Sequence, residues 1–100
     1  MKLENEFQPI REWAAEKGIL AQSTIKKQFE KLMEEVEETR TAIKNENLEE
    51  LKDGIGDCVV VLTNMAALAG MTIEDCINSA YEVISKRKGK MINGKFVKEN

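Results

Sequence analysis

Apolar and polar positions recur with a helical period along most of this chain. From residue 23 or 24 to about 44, Ile25, Phe29, Leu32, Val36 and Ile43 follow one another at spacings of four, three, four and seven. That pattern predicts one buried stripe on an amphipathic helix. An earlier helix is predicted from about residue 5 to 17, with Phe7, Ile10, Trp13 and Ala14 as its apolar face. Asn5 and Gln8 would form its capping box, Pro9 would sit in its first turn, and Gly18 would end it. Asn47 and Glu50 mark the start of a third helix by the same capping logic. Leu48, Leu51, Ile55, Cys58, Leu62, Met65 and Ala69 are its inner stripe. Beyond Asp57 apolar residues cover nearly every face, from Val59 to Leu68, which predicts burial all round and therefore a subunit interface. Gly70 ends that helix. Thr72, with Asp75 at the box position, then caps a fourth, in which Ile73, Cys76, Ile77, Ala80 and Ile84 keep helical spacing to about residue 86. Residues 91–97 read as a hairpin, because Asn93-Gly94 is the preferred pair for a type I′ turn. The expected fold is all-α, an antiparallel four-helix bundle-like subunit with a short C-terminal β-hairpin. It is expected to be a homodimer or homotetramer.

Composition narrows this picture. With 100 residues and 11.3 kDa, the chain reads as a single domain over residues 1–100, of which 86–100 form a basic extension. A chain of this length buries only roughly 65% of its unfolded surface, and it has no disulfide framework or zinc pattern to reinforce it. Cys58 and Cys76 lack CxxC spacing and read as free thiols in a reducing, cytoplasmic setting. Histidine is absent, which removes histidine-based triads and histidine-ligated metals. Met1 is followed by charge, so no signal peptide is expected. The longest uncharged stretch, residues 58–73, is too short and too polar to span a bilayer.

The net charge of −3 conceals a split. Residues 86–98 carry Lys86, Arg87, Lys88, Lys90, Lys95 and Lys98 without an acid, while residues 1–85 hold 9 basic and 17 acidic side chains. An acidic body suits cations and a basic ending suits an anion such as phosphate. A nucleic-acid polymer is not expected, since the basic segment is short and Phe96 is its one aromatic residue.

The acids are also patterned. In Glu34-Glu35-Val36-Glu37-Glu38, a helical rotation of about 100° per residue puts Glu35 and Glu38 roughly 80° and 140° to one side of the apolar stripe. Gln28 and Lys31 share that flank, Glu34 points away from the core, and Glu37 falls on the opposite flank. On the third helix Asp53, Asp57 and Asn64 follow one stripe at spacings of four and seven. Asp57 opens the most apolar stretch of the chain, where a carboxylate is costly unless paired or metal-bound. Two carboxylates from each of two neighbouring helices make an oxygen-rich site, which suits a hard cation such as Mg²⁺.

These residues resemble the MazG-like, all-α nucleoside triphosphate pyrophosphohydrolases, whose pattern is EExxE, a gap, then ExxD on antiparallel helices. Glu34-Glu35-Val36-Glu37-Glu38 matches the first half, and Gly56-Asp57 before its apolar run is similar to the second. Ile10-Arg11-Glu12-Trp13, Lys17-Gly18-Ile19 and the ending from Lys86 to Val97 extend the likeness to short stand-alone members, many of them phage-encoded. One departure stands out: the glutamate of ExxD falls at Gly54, and Asp53 is expected to replace it. The resemblance implies Mg²⁺-dependent hydrolysis of a nucleoside triphosphate to the monophosphate and pyrophosphate, with Mn²⁺ as a substitute. It makes Glu35, Glu38 and Asp57 the catalytic metal ligands, joined by Asp53 and by Glu34, the latter acting from a second shell or toward a neighbouring subunit. Lys31 is then either a salt-bridge partner or a phosphate contact. Lys86, Arg87 and Lys90 are candidates for the polyphosphate, Asn64 for a sugar hydroxyl or an internal pair, and Trp13 for a base or the core. A related phosphoanhydride hydrolase acting on phosphoribosyl nucleotides, dUTP or dCTP, and a non-catalytic helical oligomer, are the competing expectations.

Overall fold

A computed structural model describes residues 4–99 of the chain. Its elements, in order, are α1 (Gln8–Glu16), α2 (Ile19–Gln22), α3 (Ile25–Lys44), α4 (Leu48–Leu68), α5 (Ile73–Ile84), β1 (Gly89–Ile92) and β2 (Lys95–Lys98). Three of the four expected starts carry the expected side-chain cap. The hydroxyl of Thr24 accepts from Lys27 N–H, Asn47 Oδ1 from Glu50 N–H, and the hydroxyl of Thr72 from Asp75 N–H, each at 3.1 Å. Each such cap satisfies one of the donors left open at a helix N-terminus.

The start of α1 differs from expectation. Asn5 lies outside the helix, Phe7 holds the cap position with no side-chain bond, and Pro9 lies in the first turn. The Gln8 side chain accepts from Arg11 Nε instead. Residues 19–22, read as a connection, form the one-turn helix α2, entered through Gly18 at φ 81°. That left-handed backbone is open to glycine at little cost.

Helices α3 and α4 form a long antiparallel hairpin. Their pairing is visible in contacts whose numbers rise on one helix as they fall on the other: Gln28 with Asn64, Glu35 with Asp57, Thr39 with Gly54. The closest approach is at Gly54. A Cβ there would lie 2.4 Å from Thr39 Oγ1 and 3.2 Å from Thr39 Cα. The face that α3 turns toward α4 is consequently mostly small or polar, with Gln28, Glu35, Thr39 and Ala42 at or near its centre and Leu32 as its one bulky aliphatic residue.

This corrects the expected core. Of the expected stripe only Leu32 is half-buried, on the side of α3 that carries Gln28 and Glu35; Ile25, Phe29, Val36 and Ile43 are left open, Phe29 at 49% exposure and Ile43 at 61%. On α4 the bulky members Leu48, Ile55 and Leu62 are likewise open, while Gly54, Val61, Thr63, Asn64 and Ala66 are buried. A side chain the size of phenylalanine would hold the two helices apart at Gly54, so the contact there is made by small residues and most of the bulky stripe is left outside it.

The other elements flank this hairpin. Helices α1 and α2 rest on α4, and α5 leaves α4 at 103°. Arg11 and Glu74 tie α1 to α5 through two parallel bonds of 2.6 and 2.7 Å. β1 and β2 pair antiparallel with Met91 opposite Phe96, around Asn93 and Gly94, whose φ values are 51° and 80°. Those two positive values are what a type I′ turn requires. Among the described residues the two strands pack on each other and on no helix. Among the described residues no single helix is long and apolar enough to cross a membrane.

Candidate metal centre

The facing polar rows of α3 and α4 converge where Glu35 meets Asp57. Glu35 lies on the inner face of α3, with its side chain only 7% exposed. One of its oxygens, Oε1, lies 3.3 Å from Lys31 Nζ, one turn earlier on the same helix. The other, Oε2, is buried and has no hydrogen-bond partner. An ionised oxygen left like this is expensive, because nothing in the chain replaces the water it has lost. Glu35, Glu38 and Asp57 each offer a carboxylate oxygen, and these oxygens lie within 4.8 Å of one another.

The electrostatics follow from that crowding. Desolvation, then the charge of Glu35 and contact with it, then Asp53, push the Asp57 carboxyl above its ordinary value, while Lys31 pulls weakly the other way. Lys31 is held above the usual lysine range, chiefly by its bond to Glu35. One ammonium therefore serves three carboxylates. An unpartnered buried oxygen, two further carboxylates within reach and an all-oxygen donor set fit a hard divalent cation.

This arrangement carries a pH prediction. A carboxyl whose folded pKa is raised imposes no charge cost below its unfolded value near 3.8. The cost grows as pH rises through the folded pKa and is fully present above it. A divalent cation offsets the cost only where the carboxylates are ionised. Mg²⁺ or Mn²⁺ should therefore raise the melting temperature clearly at pH 7 and little below pH 4, which a thermal melt at the two pH values would check. An equal gain at both would contradict the crowding described here.

The group opens onto a cleft of about 570 Å³ between α3 and α4, lined by Glu37, Glu38, Thr41, Glu50, Asp53 and Asp57, with Gly54 on its floor. Asp53 lines this cleft but lies outside the close three-carboxylate group. Glu34 is exposed and takes no part in either, in keeping with its outward angle. Glu37, expected on the opposite flank, reaches round to the cleft rim, where Arg40 pairs with it at 3.2 Å. Glu50 and Thr41 were not singled out by spacing. The capping box expected of Asn47 and Glu50 is half made: Asn47 caps the Glu50 N–H, but the Asn47 N–H bonds to Ala42 O.

The remaining candidates stand apart from the cleft within one chain. Asn64 is 2% exposed and donates from Nδ2 to Gln28 Oε1 at 3.3 Å, leaving its Oδ1 buried without a partner. Gln28 in turn donates to Ser23 Oγ at 3.1 Å. Trp13 is half-exposed and lines no part of the cleft. Lys86 and Arg87 line a shallow depression at the end of α5, and Lys90 another on the hairpin.

A family model described as the MazG nucleotide pyrophosphohydrolase domain matches residues 23–92, from the residue before the α3 cap to the end of β1. An uncharacterized 18.2 kDa protein from the rep-hol intergenic region of Haemophilus phage HP1 is 40% identical over 57 residues, which is 57% of this chain and 35% of that protein. The chain thus spans about a third of the curated relative it matches. No solved structure gives a match.

Proposed function

This chain belongs to the MazG nucleotide pyrophosphohydrolase family, and on that premise we propose that it hydrolyses a nucleoside triphosphate to the monophosphate and pyrophosphate, using Mg²⁺ held by Glu35, Glu38 and Asp57. The observation that carries this reading is the buried, unpartnered Oε2 of Glu35 beside two further carboxylates. A divalent cation bound there would polarise phosphate oxygens and lower the pKa of an attacking water. In the overall reaction, water cleaves the anhydride bridge between the α- and β-phosphates, the monophosphate and pyrophosphate depart, and the water's proton passes to solvent. The chain's own contribution is positioning and charge, which is most of what phosphoryl chemistry asks of a protein. Glu35 is held by α3 and oriented through Lys31. Lys31 is half-exposed, so its ammonium can turn from Glu35 to a phosphate oxygen. Asn64 and Gln28 lie two turns from Asp57 and Glu35 respectively, in the same direction along the hairpin, where they suit the sugar or base of a nucleotide whose phosphates lie at the carboxylates.

The test is pyrophosphate release from a panel of ribo- and deoxynucleoside triphosphates, with and without Mg²⁺ or Mn²⁺, with a phosphoribosyl nucleotide included. Metal-dependent release from at least one member is expected. No turnover by folded protein across the panel would overturn the reading.

We propose further that the working form is a homo-oligomer. The radius of gyration is 15.7 Å, against about 13 Å for a compact domain of 100 residues. The accessible surface of 7760 Å² exceeds by roughly 2,000 Å² that expected of a compact monomer of this mass. An excess of that order suits a large obligate interface more than a transient one. The stripe of Ile25, Phe29, Val36 and Ile43 supplies its apolar content, in place of the expected segment 59–68, of which only Leu62 is left exposed within the chain. Lys86, Arg87 and Lys90 then reach the polyphosphate from a neighbouring copy. Mass in solution by light scattering should give a dimer or tetramer, and Phe29→Glu should shift it toward monomer. A stable wild-type monomer would contradict this.

A further inference from the structure

We infer that α5 is a second surface through which copies of this chain associate, paired antiparallel with α5 of another copy so that Asp75 of each meets Arg87 of the partner subunit. This goes beyond the contact already proposed for the α3 stripe and does not depend on it.

Alone among the four longer helices, α5 contains no buried residue. A shallow groove of about 700 Å³ runs along its outer side. Asp75, Ser79, Val83 and Arg87 line it at intervals of four, as one row along the helix and the turn that follows, where Arg87 N–H bonds to Ile84 O. Val83 in this row, and Met71 and Ile84 beside it, are each just over half-exposed.

The row is charged only at its ends, and with opposite signs. Asp75 and Arg87 stand roughly 18 Å apart at a rise of 1.5 Å per residue, with a hydroxyl and apolar side chains between them. Such a surface is complementary to itself turned end for end. Half a turn about a point level with residue 81 lays Asp75 on Arg87 of the partner subunit and Ser79 on Val83 of the partner subunit. Ala80 then lies at the crossing, where a small side chain lets two helix axes approach. The helix dipoles also oppose, whereas a parallel arrangement sets like charge on like. Both end charges are uncommitted. Among the described residues neither Asp75 nor Arg87 is in an ion pair, while the adjacent Glu74 is held by Arg11. A bidentate pair with Asp75 uses two of the five donors of a guanidinium, so Arg87 keeps others for a phosphate. Two different two-fold contacts, one on α3 and one on α5, are the means by which a closed tetramer is built.

The test is a charge swap in the full chain. Mass is followed by sedimentation velocity over a dilution series for the wild type, Asp75→Arg, Arg87→Asp and the double variant carrying both. All keep the Asp75 N–H that Thr72 caps, and thermal melts check folding. Each single substitution sets like charges together at both symmetry-related pairs. It should weaken this association at least about 100-fold and halve the mass. The double variant restores opposite signs across the contact and should return to the wild-type mass. Within one chain it is the worst placed of the three, with a cation at the start of α5 and an anion at its end. A role confined to the helix itself would therefore make the double variant the weakest, the opposite of the result expected. Unchanged mass in the single variants, a double variant that stays dissociated, or a monomeric wild type would each overturn the inference. The α3 contact is read separately through Phe29→Glu. A mass halved by the single charge reversals but not by Phe29→Glu would keep the α5 contact and sink the α3 one, and the reverse would sink the α5 contact alone.

Discussion

Asp57→Asn and Glu38→Gln are each expected to lower pyrophosphate release by at least about 100-fold, comparable to losing one charge-stabilising group from other active sites. Both substitutions keep the shape of the side chain and remove one negative charge from a group whose oxygens lie within 4.8 Å of one another. Neither residue is needed to hold the helices together, since both are exposed in the chain. Asp57→Asn has a second, opposite consequence. The carboxyl it removes is destabilised by desolvation and by Glu35 and Asp53. In the absence of metal, the variant should therefore melt at a higher temperature than wild type near pH 7, and this advantage should shrink as pH falls toward 4. Loss of activity with gain of metal-free stability is a signature that general unfolding cannot produce. A variant that lost both would show that Asp57 is structural.

Gly54→Ala is expected to destabilise the protein by about 1–3 kcal/mol, the usual cost of forcing atoms into a close-packed contact. The larger Gly54→Glu, which restores the glutamate of the family pattern, should cost more and should not improve catalysis. Its Cβ alone would sit 2.4 Å from Thr39 Oγ1, and the backbone of α3 is only 3.2 Å away. Thr39→Ala removes that oxygen and should recover part of the loss in the double variant, leaving the share due to the backbone. Urea denaturation of wild type, Gly54→Ala, Gly54→Glu, Thr39→Ala and the Gly54→Ala/Thr39→Ala double variant gives the energies. Wild-type stability in Gly54→Ala would show that α3 and α4 are not held at this separation. The departure at position 54 is thus a property of helix spacing as much as of ligand choice. Asp53, expected to replace the missing glutamate, reaches the same cleft from the next position round the helix, outside the closest carboxylate group.

Features governed by a few adjacent residues were legible before the structure. Thr24, Asn47 and Thr72 cap the helices they were expected to cap, and Asn93-Gly94 makes the turn that its backbone preferences require. Each of these is decided by bonds spanning three or four residues. The apolar stripe of α3 is expected to be buried, and within the chain only Leu32 of its five residues is even half-covered. Periodicity says which side of a helix avoids water, and is silent on which surface covers it. The face that meets α4 is dominated by Gln28, Glu35, Thr39 and Ala42, which a hydrophobicity argument passes over. Setting the rotational origin on Phe29 and Val36 instead of on Glu35 put Glu35 at the core boundary, when it is buried. The convergence of Glu35, Glu38 and Asp57 survived that error because their relative spacing on each helix did not depend on the origin. Glu37 and Glu50 were missed for different reasons. The first reaches round α3 on a long side chain, and the second had a plausible local role that turned out to be only half filled.

The uncovered stripe on α3 bears on how the native state is kept. In the assembly proposed above, the contacts of this stripe form between copies, so folding and association draw on the same free energy. Dilution then acts as a denaturant, and the melting temperature climbs with the amount of protein in the tube, because mass action enters the equilibrium directly. A single melting point would describe a solution at one concentration, and only a concentration series would describe the molecule.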